Sequence, residues 1–357
     1  MIRLAVLGID ATEVEAFLAA SAPREQGCFL LLREGRGAVG RRLIAVDPIL
    51  PPQDAWEVKG PDQLRPSARW ISAAVSKAVQ GNAGLLFVHA HPDPAHPPTL
   101  SPTDVEAMRA LAAAIGPILD GPFGAAVVHP RGWAASLWLD GSLVPVDRIT
   151  AIGRTIRWLS PLPVAPDEDG DLDARQRDAL GRAHNALRAL TVAVVGVGGL
   201  GSPIAEQLVR MGVRGVTVVD SDVLDTPSNL RRVFGARSTD LRPASPLRKV
   251  DVVGRHLDEV GLETNVARIF GDVRTETAFR YLLDADVVVT ATDTHSSRVV
   301  AAQSSTNSPL LTSSPSSTSG SARARSRTEI SRALPPRSGS SRLPRRACGV
   351  GERSQRT

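Results

Sequence analysis

The chain has 357 residues, enough for two domains of ordinary size, and its 42 basic and 37 acidic residues give a net charge of +5. Two cysteines, Cys28 and Cys348, exclude a scaffold built on disulfides, and no apolar run approaches the roughly 18 residues that cross a bilayer. The N-terminus lacks a basic region before its apolar start and a clear cleavage site, so we expect a cytoplasmic protein with no membrane partner.

Residues 1–158 are predicted to form an α/β domain. Helical spacing of apolar residues predicts helices at 11–20 and 68–79. Short apolar runs predict strands at 28–32, 42–46, 84–90, 123–129, 133–139 and 142–146. The last two runs are separated by Asp140-Gly141, a dipeptide typical of a tight hairpin.

Two histidines end the strand predicted at 84–90. His89 and His91 are two residues apart on an extended strand, so their side chains project to the same side. Asp104, in the first turn of a predicted helix, can complete a three-ligand site whose fourth position is open to water, as in catalytic zinc centres. The segment Ser101 to Asp104 is also a good helix start without any metal, because it offers a serine cap and an early acid.

This H-x-H-P and S-x-x-D pattern resembles the JAMM metalloproteases, also called JAB or MPN domains, which have a cytidine-deaminase-like α/β fold. The resemblance implies Zn²⁺ and hydrolysis of an amide or isopeptide bond. It implies that His89, His91 and Asp104 bind zinc. It also implies that Glu25 is the general acid and base and that Ser101 stabilises the oxyanion. His96 is a competing ligand in the intervening loop, and Glu34 lies near Glu25.

Residues 159–174 combine proline, glycine and acids without an apolar period, and they are predicted to be a linker. A strand, a glycine turn, a helix and a second strand follow between Val194 and Asp220. Such a turn lets the backbone approach a phosphate at the helix N-terminus, and Asp220 can bind ribose hydroxyls. The turn glycines are Gly196, Gly198, Gly199 and Gly201. The alternative is a Rossmann unit whose glycines serve only packing.

Polar residues downstream of this unit favour adenylation over hydride transfer. Arginine and lysine stabilise the charge that builds as pyrophosphate leaves, and a carboxylate can hold Mg²⁺. Asp222, the N-L-R-R segment at Asn229, Lys249 and a T-D pair ending at Asp293 occur in that order. With the glycine turn they resemble the ThiF, MoeB and ubiquitin-activating superfamily, which adenylates the C-terminal glycine of a ubiquitin-like protein.

The resemblance implies a Rossmann-like domain over 175–303 that binds ATP and Mg²⁺ and forms a homodimer. By this resemblance Asp220 binds ribose, and Asn229, Arg232 and Lys249 contact the phosphates. Asp293 binds magnesium, and Arg175 reaches the nucleotide of the partner subunit. In this chain Val233 stands where the family usually has a glutamine.

The segment 304–357 is rich in serine, arginine and proline and is predicted to be disordered. Its ten arginines and two glutamates carry a net charge of +8, which leaves −3 for residues 1–303, so the body of the chain is not expected to bind nucleic acid. Because family character stops there, we expect the second domain to be incomplete. A shifted reading frame and a genuine basic tail both remain open, and Cys348 lacks the context of a nucleophile.

We therefore expect a fusion that trims and then activates a ubiquitin-like or sulfur-carrier protein ending in Gly-Gly. The alternatives are a non-catalytic remnant that binds such a protein and an NAD-dependent oxidoreductase. The oxidoreductase leaves four residues without a role: Asn229, Arg232, Lys249 and Asp293.

Overall fold

A computed structural model describes residues 1–60, 64–93, 95, 98–162, 173–261 and 263–293. These residues all fall in one compact unit, which contains a nine-stranded sheet and a separate four-stranded sheet. The predicted tail at 304–357, with Cys348, and most of the predicted linker lie outside the described residues, as does His96. Within the described part of the chain, no helix is both long and apolar enough to cross a membrane.

The described residues of the first half form three helices and eleven strands, nine of them in one sheet and the other two paired with each other. In chain order its elements are β1 Ile2–Leu7, α1 Gly8–Ala19, β2 Gly27–Arg36, β3 Arg41–Ile49, β4 Trp56–Lys59, β5 Leu64–Pro66, α2 Ala68–Gln80, β6 Gly84–Ala90, α3 Pro102–Ile115, β7 Phe123–His129, β8 Gly132–Leu139, β9 Ser142–Pro145, β10 Arg148–Ile152 and β11 Ile156–Trp158. Every strand and helix predicted in this half is confirmed, and Asp140 and Gly141 both have positive φ, at 48° and 79°, as a tight hairpin requires.

The strand order β11-β10-β1-β3-β2-β6-β7-β8-β9 puts the most apolar strands in the centre. Alternate residues of β2 point to opposite faces: Leu30 packs with α1, and Phe29 packs with α2 and α3. Strands β6 and β7 are parallel, so their carboxyl ends meet at one edge. The side chains that follow β6 therefore lie at that edge, beside the start of α3.

The second half is a parallel, Rossmann-like unit. Its elements are α4 Ala174–Leu180, α5 Arg182–Ala189, β12 Thr191–Val195, α6 Gly201–Arg210, β13 Gly215–Asp220, β14 Val223–Leu224, α7 Pro227–Leu230, β15 Leu247–Arg248, α8 Lys249–Val260, β16 Asn265–Phe270, α9 Glu276–Leu283 and β17 Val287–Thr290. The strands run in the order β16-β13-β12-β17, all parallel. Helices α6 and α8 cover one face and α9 covers the other.

A buried ionic cluster joins the two sheets. Arg3, Arg42 and Arg148 extend from β1, β3 and β10 toward the end of α9, where they contact Asp284, Asp286 and the last carbonyls of the helix. Burial lowers the pKa of Arg3 and of Arg42, although the two aspartates oppose that shift. Cations at a helix C-terminus also interact favourably with its dipole.

Candidate functional site

The glycine turn after β12 has two structural glycines and one that faces open space. Gly196 has φ of 86°, and a Cβ there would lie 2.9 Å from the Ala291 carbonyl oxygen. A Cβ on Gly201 would lie 1.8 Å from the Gly196 carbonyl oxygen, so only glycine fits. A Cβ on Gly198 would meet no described atom within 4 Å. Packing explains Gly196 and Gly201, whereas Gly198 borders the space that a ligand would occupy.

A cavity of about 880 Å³ opens at the carboxyl ends of the four parallel strands. Its size suits a nucleotide, and its position is where open α/β sheets bind ligands. The predicted residues that line it are Gly196, Gly198, Gly199, Asp220, Asp222, Asn229, Arg232, Lys249 and Asp293. Gly201 is buried within the first turn of α6, beneath this surface. The structure thus brings together residues that the sequence spreads over nearly a hundred positions.

Asp220 is held by two backbone N–H groups at the end of β13. The amides of Val197 and Asp222 each donate to its carboxylate at 2.8 Å. Burial raises the pKa of Asp220, and these two hydrogen bonds work against that shift. The carboxylate is therefore oriented before a ligand arrives, and its remaining lone pairs can accept from hydroxyls.

The cationic side of the cavity consists of Arg232 and Lys249. Lys249 begins α8, and its Nζ lies 2.7 Å from the carboxylate of Asp222. Arg232 is exposed next to Gly199 and donates to the Asn229 side chain at 3.3 Å. Asn229 is buried and donates in turn to Asp225 at 3.2 Å. Both cations can therefore face a phosphate chain over the glycine turn.

Three further features bear on the predicted site. Val233, which stands where the resemblance led us to expect a glutamine, is buried in the core beside α8. Asp293 is exposed at the end of the segment that follows β17 and lines the cavity. Arg175 is exposed on α4, and its predicted reach into a second subunit stays a prediction.

A loop that no sequence motif predicted to be part of the site, Gly271–Arg274, lines the same cavity. It follows β16, which pairs with β13, so it lies directly beside Asp220. Nothing local marks this loop as a ligand site. Only the strand order brings it to the cavity.

The first half brings the predicted metal ligands together. His89 Nε2 and His91 Nε2 lie 3.1 Å apart, and they lie 3.2 and 3.3 Å from the carboxylate oxygens of Asp104. One atom from each of these three residues could therefore bind the same metal ion. His89 Nδ1 is buried with no hydrogen-bond partner among the described residues, so Nε2 is its available ligand atom.

A capping box fixes Asp104 at the start of α3. The Asp104 amide donates to Ser101 Oγ at 3.1 Å, and the Ser101 amide donates to the Asp104 carboxylate at 2.8 Å. Burial alone would raise the pKa of Asp104, but the hydrogen bonds from His89 and His91 hold it well below its usual range. The hydrogen bond to Asp104 raises the pKa of His91. An ionised aspartate between two imidazoles is a donor set that zinc accepts.

Of the two glutamates predicted near this site, Glu25 is the one that lies close to the histidines. A carboxylate oxygen of Glu25 lies 3.8 Å from His91 Nε2, and its side chain is 13% exposed. Glu34 instead lies along β2, 3.3 Å from Arg41. A second cavity, of about 550 Å³, opens beside His91, with Trp133 among its walls.

Comparisons with known proteins find relatives of the second half of the chain. The ThiF family model matches residues 174–351. Over 114 residues the chain is 31% identical to the sulfur carrier protein ThiS adenylyltransferase of Bacillus subtilis, covering 32% of this chain and 33% of that one. It is 34% identical over 125 residues to the tRNA threonylcarbamoyladenosine dehydratase of the same organism, covering 34% and 46%.

A third relative is ubiquitin-like modifier-activating enzyme 5 of Caenorhabditis briggsae, 38% identical over 97 residues that cover 27% of this chain and 22% of that one. The chain thus spans less than half the length of these curated relatives. Among solved structures, an E. coli tRNA N6-threonylcarbamoyladenosine dehydratase in complex with AMP matches with a TM-score of 0.33 and 23% identity, covering 37% of this chain and 53% of that one.

The family match begins at residue 174 and leaves the first half of the chain outside it. It runs on to residue 351, beyond the predicted end of the second domain at residue 303. Residues 294–351 lie outside the described part of the chain, and that predicted boundary stays a prediction.

Proposed function

We propose that this chain, which carries a ThiF family domain at residues 174–351, is an ATP-dependent adenylyltransferase. Its substrate would be the C-terminal carboxylate of a ubiquitin-like or sulfur-carrier protein ending in Gly-Gly. The observation that carries the proposal is the 880 Å³ cavity, which combines an open glycine turn, an oriented carboxylate at Asp220 and the cations Arg232 and Lys249. Relatives named as adenylyltransferases and modifier-activating enzymes support it.

In this reaction a carboxylate oxygen of the substrate attacks the α-phosphorus of ATP, and the bond to pyrophosphate breaks. Negative charge then builds on the β- and γ-phosphates. Arg232 and Lys249 offset that charge, and the backbone around Gly198 lets the phosphates approach the start of α6. Asp293 would hold Mg²⁺, which adds a further positive charge at the phosphates.

Pyrophosphate exchange tests the proposal. The full chain, given a ubiquitin-like protein ending in Gly-Gly, should incorporate labelled pyrophosphate into ATP. Arg232→Ala should reduce the exchange rate by about a hundredfold, the usual effect of removing one donor that stabilises transition-state charge. Arg280→Ala is the matched control, because Arg280 is an exposed arginine of α9 that pairs with Glu276 at 2.6 Å.

Two outcomes would contradict this function, and a third would contradict the role of Arg232. An inert wild type that still binds the ubiquitin-like protein would favour the non-catalytic remnant. A wild type that binds NAD but not ATP would favour the oxidoreductase. Equal losses of exchange rate in Arg232→Ala and Arg280→Ala would mean that Arg232 does not contact the phosphates.

A second function, zinc-dependent amide or isopeptide hydrolysis, is favoured by the convergence of His89, His91 and Asp104. These residues would hold Zn²⁺, which supplies an activated water and polarises a carbonyl. Glu25, whose carboxylate lies 3.8 Å from His91 Nε2, would act beside these ligands as the general base and then as the general acid. The Ser101 hydroxyl, at the start of α3, could donate to the oxyanion. The cavity beside His91 offers room for the residue next to the cleaved bond.

Zinc analysis together with a peptidase assay separates binding from chemistry at this site. We expect His89→Ala to lose zinc. Glu25→Gln should keep zinc and lose hydrolysis by about 100-fold to 10,000-fold, as general acid–base catalysts do. His256→Ala should change neither quantity, because His256 belongs to the other half and pairs with Glu206 at 2.8 Å. Zinc retained in His89→Ala would contradict the ligand assignment.

A homodimer is the third part of the proposal, supported by Arg175 being exposed on α4. We expect Arg175→Ala to weaken nucleotide binding only in the dimer. Light scattering at several protein concentrations, run beside nucleotide titrations, measures this. A fully active monomer would contradict it.

A further inference from the structure

The Gly271–Arg274 loop borders the ribose end of the cavity. Strand β16 pairs in parallel with β13, with Phe270 opposite Asp220. The next residue, Gly271, donates its N–H to the Asp220 carbonyl oxygen at 3.1 Å. The loop therefore begins one strand spacing from the carboxylate that would bind ribose.

The strand order determines which part of a nucleotide would face this loop. The glycine turn follows β12, on one side of β13, whereas the loop follows β16, on the other side. A nucleotide places its ribose between its phosphates and its base. With phosphates over the glycine turn and ribose at Asp220, the base must lie toward β16.

Arg274 is held in a fixed plane at that end. Asp272 accepts from Arg274 Nε at 2.8 Å and from Nη2 at 2.5 Å, and it also accepts from the Arg274 backbone N–H at 2.8 Å. The loop is anchored behind them, because Thr275 donates to the Asp272 carbonyl oxygen at 2.8 Å and caps α9. Two in-plane bonds orient the guanidinium and leave its faces free.

The Arg274 side chain is 63% exposed although it is paired, so its faces are not covered by protein. Planar guanidinium groups stack on aromatic rings, which a lysine ammonium cannot do in the same way. A flat, oriented and uncovered guanidinium at the base end of a nucleotide cavity is suited to a purine ring.

Resting on the proposed function above, we propose that Arg274 is a nucleobase platform, on which the purine ring of bound ATP stacks. Arg274 is then a residue that positions the nucleotide, and Asp272 orients Arg274. Because stacking uses the ring face rather than its edge, the platform should accept adenine and guanine alike and leave selection between them to other contacts.

Titration of the full chain with ATP, GTP and inorganic tripolyphosphate, each with magnesium, tests this proposal. Arg274→Ala should raise the Kd for ATP and for GTP by about threefold to tenfold, the range for a cation stacked on an aromatic ring. Arg274→Lys keeps the charge and should lose affinity to the same extent. Asp272→Asn releases the guanidinium and should show a smaller loss. The Kd for tripolyphosphate should be the same in wild type and Arg274→Ala.

Two control variants make the outcomes distinct. Arg232→Ala should weaken ATP and tripolyphosphate together, and Arg280→Ala should weaken neither. An unchanged ATP Kd in Arg274→Ala, beside a weakened one in Arg232→Ala, overturns the platform and leaves the proposed function standing. Full affinity in Arg274→Lys overturns stacking in favour of simple charge. A wild type that binds no ATP overturns the proposed function and the platform with it.

Discussion

The glycines of the turn after β12 differ in what constrains them. Gly201 is confined by the carbonyl of Gly196, whereas Gly198 borders empty space within the described part of the chain. A pattern of glycines in a sequence cannot separate packing from ligand contact, because both require the same missing side chain. The distances that a Cβ would have separate them residue by residue.

Alanine at these two positions should therefore have opposite effects. Gly201→Ala should destabilise the fold by about 1–3 kcal/mol, the cost of overpacking a close contact. Gly198→Ala should change stability by no more than about 0.5 kcal/mol, as for a surface substitution, and should weaken ATP binding because its methyl group enters the phosphate site. Chemical denaturation and ATP titration measure the two effects. Equal destabilisation by both variants would show that Gly198 is also a packing residue.

The environment of Asp220 predicts that ATP binding depends on pH. Its pKa is raised by burial, so protonation begins at a higher pH than for an exposed aspartate. The ionised form is the one that accepts ribose hydroxyls, so affinity for ATP should fall as pH is lowered from 7.5 to about 5. ATP takes up protons in the same range. The comparison with Asp220→Asn in identical buffers removes that contribution, because the variant lacks the titrating carboxyl.

The ratio of the two dissociation constants should shrink as pH falls, since wild type loses the advantage of its carboxylate. Asp220→Asn should bind ATP more weakly than wild type at pH 7.5. A ratio that stays constant across the range would mean that Asp220 does not titrate there or does not contact the ribose.

Among the elements, α3 illustrates how one feature supports stability and a site together. Ser101→Ala removes the cap of α3 and should cost about 1 kcal/mol of stability. It also frees the Asp104 amide that now bonds to Ser101 Oγ, so Asp104 should be held less firmly and zinc affinity should fall. Thr275→Ala is the matched control, because Thr275 caps α9 in the other half. It should cost similar stability and leave zinc affinity unchanged.

Local sequence patterns were sufficient to predict the helices and strands and part of each candidate site. The strand that carries His89, the helix that begins after Ser101, and the turn at Gly196 depend on neighbours within one supersecondary unit, so periodicity and capping predict them. The Gly271–Arg274 loop could not be predicted that way. Its place follows from the pairing of β16 with β13, which no short segment encodes.

At the scale of the whole molecule, the contact between the two sheets could not be predicted for the same reason, because no short segment encodes it. Arg3, Arg42 and Arg148 are scattered over three strands of the first sheet and look like ordinary surface charges in the sequence. In the structure Arg3 and Arg148 are buried against Asp284 and Asp286, and the half-buried Arg42 donates to the Ala285 carbonyl oxygen. Asp286 also accepts from the Thr191 backbone N–H at 2.9 Å. It therefore links the first sheet to the starts of β12 and β17, the strands that carry the glycine turn and Asp293.

Asp286→Asn should consequently affect both stability and the nucleotide site. Removing one partner of a buried ion pair leaves Arg148 without its counter-charge, which costs about 3–5 kcal/mol. Asp258→Asn is the matched control, since the Asp258 side chain is 54% exposed beside Arg268 and its loss should cost less than about 1 kcal/mol. Thermal unfolding followed by far-ultraviolet circular dichroism, which reports the helices of both halves, should show one transition in wild type. In Asp286→Asn we expect that transition to fall and to broaden or split, and ATP affinity to drop as β17 loses its anchor. If Asp286→Asn instead matched Asp258→Asn, the arginine cluster would not be what makes the two sheets one cooperative unit.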